Sequence, residues 1–83
     1  MRYFEDVRNI LGDVLSLGER RMALHEDTAL MGGMPEFDSM AVVNVLTALE
    51  DHFGISVDDD EISAAIFETV GTLAGFVEQK LNA

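Results

Sequence analysis

Phe4, Val7, Leu11 and Val14 recur at spacings of three and four residues, with Ile10 and Leu15 widening the stripe. That period predicts an amphipathic helix over residues 3–17, with Glu5, Arg8, Asp13 and Ser16 on its wet side. Gly18 is placed to stop it. Residues 18–38 then lose any sustained period. Gly32-Gly33 and Pro35 punctuate them, while Leu24, Leu30, Met31, Met34 and Phe37 stand as scattered apolar anchors. A connection of about 20 residues is long for so short a chain, and such loops are usually functional or tied down by apolar contacts.

The period returns at Asp38-Ser39. Asp38 suits an N-cap, with Phe37 and Val42 spaced as a hydrophobic staple across it. Val42, Val45, Leu46, Leu49 and Phe53 form one apolar face, and Ala41, Asn44, Thr47, Ala48, Asp51 and His52 form most of the other. Gly54 supplies the stop, so the helix is expected over residues 39–53. Ile55 and Val57 flank Ser56 without a partner strand and read as loop. The acidic run Asp58-Asp59-Asp60-Glu61 leads into a short helical piece carrying Ile62, Ile66 and Phe67, with acids where a helix N-terminus favours them. Thr69 caps a last helix whose stripe is Val70, Leu73, Phe76, Val77 and Leu81, with Lys80 in its final turn. The prediction is all-α: three longer helices and one short third helix around a single core, in one domain spanning residues 1–83.

Composition narrows the partners. Five basic residues against sixteen acidic ones give a net charge of −11. The charges of residues 1–25 cancel, so the whole excess falls on residues 26–83, where Lys80 is the one basic residue. Nucleic-acid phosphates and anionic membrane surfaces are poor partners for such a chain, and basic proteins are good ones. No apolar run approaches the roughly 20 residues of a membrane span. The opening Met1-Arg2-Tyr3-Phe4-Glu5-Asp6 turns acidic too early for a signal peptide. Cysteine is absent, which permits a reducing, cytoplasmic setting.

The side chains offer little self-contained catalysis. Ser39 as a nucleophile needs a base within hydrogen-bond reach, and His52 lies thirteen residues along the same helix, about 20 Å away. His25 sits in the long connection, and no G-x-S-x-G elbow is present. The run from Asp58 fails as a calcium loop, because Ser63 and Thr69 occupy the places of its glycine and final glutamate. No metal site is expected. Gly32-Gly33 lies in no phosphate-binding loop motif and reads as a hinge. What remains is a serine at the first position of a helix, where free amides and the dipole favour a phosphate, so its hydroxyl could carry a phosphodiester with little strain.

Asp38-Ser39-Met40, continued by Ala41 through Gly54 with Ala48-Leu49-Glu50-Asp51-His52-Phe53-Gly54 at the matching offset, resembles the D-S-L motif and second helix of acyl carrier proteins. The similarity spans nearly the whole chain. It implies the four-helix carrier-protein bundle and a non-catalytic role. Ser39 would be the attachment point of 4′-phosphopantetheine, added from coenzyme A by a phosphopantetheinyl transferase, with cargo held as a thioester on the arm. Asp38 and Met40 match the positions flanking the modified serine. Val42, Leu46, Leu49, Phe53, Ile62, Phe67 and Val70 become acyl-pocket candidates, though each also reads as ordinary core. Partners would be an acyl-loading ligase or synthase and acyl-transferring enzymes, and the chain is expected as a monomer.

The second helix departs from the fatty-acid-synthesis pattern, which commonly has acids two and five positions after the serine. Ala41 and Asn44 stand there, leaving Glu50 and Asp51 as the matching acids. A partner surface of Met40, Ala41, Asn44, Glu50 and Asp51 is therefore expected to be more apolar near the serine. Ser-Met-Ala-Val-Val is similar to dedicated carriers served by a stand-alone ligase, including those found with exosortase systems, which implies a specialised pathway. Two alternatives stand beside this reading. A peptidyl or aminoacyl carrier uses the same arm but usually places Gly-Gly directly before the residue preceding the serine, and here five residues intervene. A small helical interaction domain would carry no arm at all.

Overall fold

A computed structural model describes residues 3–82, leaving Met1, Arg2 and Ala83 outside. Three α-helices form: α1 (Phe4–Val14), α2 (Ser39–Phe53) and α3 (Val70–Asn82). Two 3-10 helices join them, at Gly18–Ala23 and Asp59–Glu61. Both α2 and α3 lie where the apolar period puts them.

α1 ends earlier than expected. Its stop is Ser16, which adopts a left-handed φ of 55°, and not Gly18. The Leu17 amide donates to the Gly12 carbonyl at 2.9 Å and the Ser16 amide to Asp13 at 3.4 Å, a reciprocal closure that satisfies the last carbonyls. Leu17 thereby turns inward and is buried. The 3-10 helix that follows has no apolar period and was not foreseen.

α2 ends at Gly54, whose φ of 66° lets the Gly54 and Ile55 amides both reach the Glu50 carbonyl. The short helical piece also differs from expectation. The acids themselves make the 3-10 turn, with the Asp58 amide donating to Glu61 Oε1 at 3.0 Å, and after Ile62 and Ser63 the residues 64–67 follow as turn. Lys80 does more than suit the α3 dipole. Its Nζ donates to both Glu61 carboxylate oxygens at 2.9 Å, across nineteen residues of chain.

The long connection is pinned to the start of α3. Leu30 and Met31 amides donate to the Glu68 and Phe67 carbonyls at 2.9 and 3.1 Å, and Val70 donates back to Thr28 at 3.1 Å. Ala29 and Thr69 form an isolated antiparallel bridge. The Gly71 amide reaches the Glu26 carbonyl at 2.8 Å, so closely that a Cβ there would also lie 2.8 Å from that oxygen. These carbonyls satisfy α3 amides that no intrahelical partner could reach. Thr69 and Thr72 complete the cap: each backbone amide donates to the other's Oγ1 at 3.0 Å.

One apolar core fills the interior. Val7 and Leu11 of α1, Val45 and Leu49 of α2, and Val70, Leu73 and Val77 of α3 meet there with Leu30 and Phe67. Of the connection's expected anchors, Leu24, Leu30 and Phe37 are buried and Met34 is half-buried, but Met31 is exposed.

The Glu61–Lys80 pair makes stability depend on pH. The hydrogen bond from Lys80, and then that from the Asp58 backbone, hold the Glu61 carboxyl below its ordinary value of 4.5. A carboxyl lowered on folding contributes stability above its unfolded pKa and loses it as pH falls through the folded value. Glu61→Gln is therefore expected to lower stability at neutral pH and to flatten the acid side of the profile. Urea unfolding at a series of pH values reads both.

Candidate phosphopantetheine attachment site

The site is assembled where the connection becomes α2. Phe37 is buried, its ring centroid 5.8 Å from that of Phe67, so the chain enters α2 from a fixed apolar anchor. One residue earlier, Glu36 Oε2 meets Arg20 Nη1 at 2.6 Å, joining the entry peptide to the first 3-10 helix. The Arg20 hydrogen bond, followed by that from its own backbone amide, holds the Glu36 carboxyl below its ordinary value.

Asp38 is extended at φ −109° and ψ −171°, and its Oδ1 accepts from the Ala41 amide at 2.9 Å. The cap turns the backbone into α2 with Ser39 as its first residue. Ser39 is exposed, and so are Asp38 and Met40. First-turn amides that have no intrahelical acceptor lie beside an accessible hydroxyl there, an arrangement that fits a phosphodiester.

Other expected site residues are distributed differently. Leu46, Leu49, Phe67 and Val70 belong to the buried core, with Val42 and Phe53 packed against it. Ile62 does not join them. It is 36% exposed, because the 3-10 turn of the acids ends before it and leaves it on the outside. None of the seven lines the open cleft between α1 and α2, which is formed by Ile10, Asp13, Val14, Ala48, Asp51 and His52.

On the expected partner surface, Met40, Asn44 and Asp51 are exposed. Ala41 is not. As the residue whose amide the cap binds, it turns its methyl into the core and is buried. Glu50 is half-buried and accepts the Val57 amide at 2.9 Å, so it ties down the loop after α2. Val43, left out of that surface, is 55% exposed one turn after Met40. The i, i+3 relation to Met40 was the signal that could have found it.

A family model described as a phosphopantetheine attachment site matches residues 5–77. The chain belongs to the acyl carrier protein family. An acyl carrier protein of Petrotoga mobilis is 30% identical over 79 residues, covering 95% of this chain and 87% of its own. One of Thermotoga maritima is 28% identical over 79 residues, covering 95% and 91%. The solution structure of a holo acyl carrier protein from Nitrosomonas europaea superposes with a TM-score of 0.93 at 64% identity, over the whole of both chains. The fold is thus the all-α carrier bundle, the protein is a carrier and not an enzyme, and its cofactor is covalent 4′-phosphopantetheine. No described helix is long and apolar enough to cross a membrane.

The Asp38 cap holds the turn that displays Ser39. Asp38→Ala is expected to cost about 1 kcal/mol of stability. Faster hydrogen exchange at the Ala41 amide would mark the loss.

Proposed function

We propose that Ser39 carries the 4′-phosphopantetheine arm, and that the protein holds an acyl group on it as a thioester for partner enzymes of a specialised pathway. The observation that carries this is the exposed Ser39 hydroxyl at the first position of α2, displayed by the Asp38 cap in a chain of the arm-bearing family. A phosphopantetheinyl transferase has open access to it. Esterification places a phosphate beside free helix amides, which favour negative charge. With the arm supplying the thiol, the absence of cysteine from the chain is no obstacle.

Asp38 and Met40 flank the serine as contacts for the modifying and acyl-handling enzymes. Met40 and Val43 make this end of α2 apolar, with Asn44 between them and the acidic far end. Partners that rely on acids two and five positions after the serine would bind this surface poorly, which supports a dedicated loading ligase over the housekeeping fatty-acid enzymes. Leu46, Leu49, Phe67 and Val70, with Val42 and Phe53, form the core that would have to open to take in a chain. The protein is proposed to work as a monomer in the cytoplasm.

Incubation with coenzyme A, Mg²⁺ and a broad-specificity transferase should add the mass of one phosphopantetheine. Ser39→Ala should abolish the gain. An intact-mass spectrum reads both results, and a gain that survives the substitution rules out Ser39.

Because Ala41 is buried, charge can be restored only at the second missing position. Asn44→Glu should raise turnover by fatty-acid-synthesis enzymes several-fold, from a gain of up to about 1 kcal/mol for an exposed charge pair. Initial rates with the acylated holo form are the measurement, and no gain would mean that charge is not the discriminator.

A further inference from the structure

Two arginines follow one another after α1, and the fold uses them differently. Arg21 is pinned. Its Nε donates to the Gly18 carbonyl at 3.0 Å and its Nη1 to the Asn9 carbonyl at 3.4 Å, while Nη2 meets Asp13 at 2.8 Å. Gly12 leaves room for it, since a Cβ there would lie 2.5 Å from that Nε. The first 3-10 helix is thereby fastened to α1, which fixes the backbone from which Arg20 departs. Arg20 crosses to the entry peptide of α2 and touches it at one point, Nη1 on Glu36 Oε2. The other carboxylate oxygen, Oε1, is buried with no hydrogen-bond partner among the described residues, so the pair is not the two-bond fork that arginine and carboxylate commonly make. Arg20 Nε and Nη2 donate to nothing among the described residues, and the side chain is 62% exposed.

Glu36 stands three residues before Ser39, at most about 11 Å of extended chain. A phosphodiester on Ser39 adds negative charge beside the exposed Asp38, in a chain of net charge −11. First-turn amides of α2 meet part of that charge, but residues 22–79 contain no lysine or arginine to meet the rest. A cation must come from outside that stretch. Arg8 is paired with Glu5 inside α1 and lies over the Phe4 ring, and Lys80 is held by both oxygens of Glu61. Among the described lysine and arginines, Arg20 alone combines free donors with a tether to the segment that carries Ser39. We infer that Arg20, held by Glu36, is the chain's own counterion for the phosphate of the arm. Nη1 stays on Glu36 while Nε and Nη2 turn to the phosphate oxygens, a planar fork suited to that group. The role is positional: Arg20 neutralises the phosphate and limits how the arm leaves α2, and it takes no part in thioester chemistry. The inference rests on the proposed attachment of the arm to Ser39.

Side-chain NMR of the isotope-labelled full chain, before and after loading from coenzyme A by a transferase, reads the contact directly. The Arg20 Nε–H signal should shift on loading and its exchange with water should slow several-fold, while the Arg8 signal stays in place. The phosphorus resonance of the loaded chain should move with Arg20→Gln. Salt at about 1 M should reverse most of the Arg20 shift and narrow the difference between the two phosphorus resonances, because an exposed ion pair is screened there. An Arg20 signal that is the same before and after loading, or a phosphorus resonance that ignores Arg20→Gln, overturns the inference. So does a phosphorus difference that persists unchanged in salt, which would mark an altered fold around Ser39. Should Arg20→Gln fail to fold, the loading shift and its salt dependence in the unsubstituted chain decide alone. A chain that gains no mass fails the carrier reading, whereas a loaded chain with an unmoved Arg20 fails this inference alone.

Discussion

Thr28, Leu30 and Met31 commit their backbone groups to residues 67–70, and Glu26 commits its carbonyl to Gly71. Through these bonds a connection with no periodic structure of its own becomes part of the α3 cap. Without them the α3 start would hold amides with no acceptor, and the connection would hold unpaired groups over the core. The same pairing brings Phe67 beneath Phe37. Phe37 is the last buried residue before the Asp38 cap, so where Ser39 stands depends on how the connection is bonded to α3. The sequence separation is about 40 residues, and the contact is closed by main chain. Side-chain identity reports little of it.

That explains which parts could be read in advance. α2 was plain because three independent signals agree on it: a capping aspartate, an apolar stripe and a terminal glycine. The end of α1 was misread because Ser16 takes a left-handed conformation usually left to glycine, and the waiting Gly18 was the stronger signal. The acidic run was read as an entry to a helix of apolar residues. Its own turn formed instead, because Glu61 is held by the Asp58 amide on one side and by Lys80 on the other. No local pattern announces a partner nineteen residues away.

Ala41 and Ile62 show the same limit on the site. Period counting treats alanine as neutral and put Ala41 on the wet face, whereas the cap turn directs it inward. Ile62 was assigned to a pocket because it is apolar, whereas the turn that would have buried it ends one residue too soon. The exposed place of Ser39 at the start of α2 was legible, since that environment is local: cap, first helical position and exposure are set by three consecutive residues.

Charge adds the last constraint. Arg8, Arg20, Arg21 and Lys80 are each paired with an acid of the same chain. Three of these pairs fasten separate segments together and Arg8–Glu5 lies within α1, so the described lysine and arginines are paired inside the fold. Exposed acids outside these pairs, Asp38 beside the serine and Asp51, Asp58, Asp59 and Asp60 farther along among them, set the field a partner meets. Beside Ser39, Met40 and Val43 add exposed apolar surface to it. The surface therefore combines acids that can steer a basic partner from a distance with apolar contacts that act only at touch. A carrier that must pass its cargo between enzymes gains from having both, since the approach of a partner and its fit at the surface depend on different side chains.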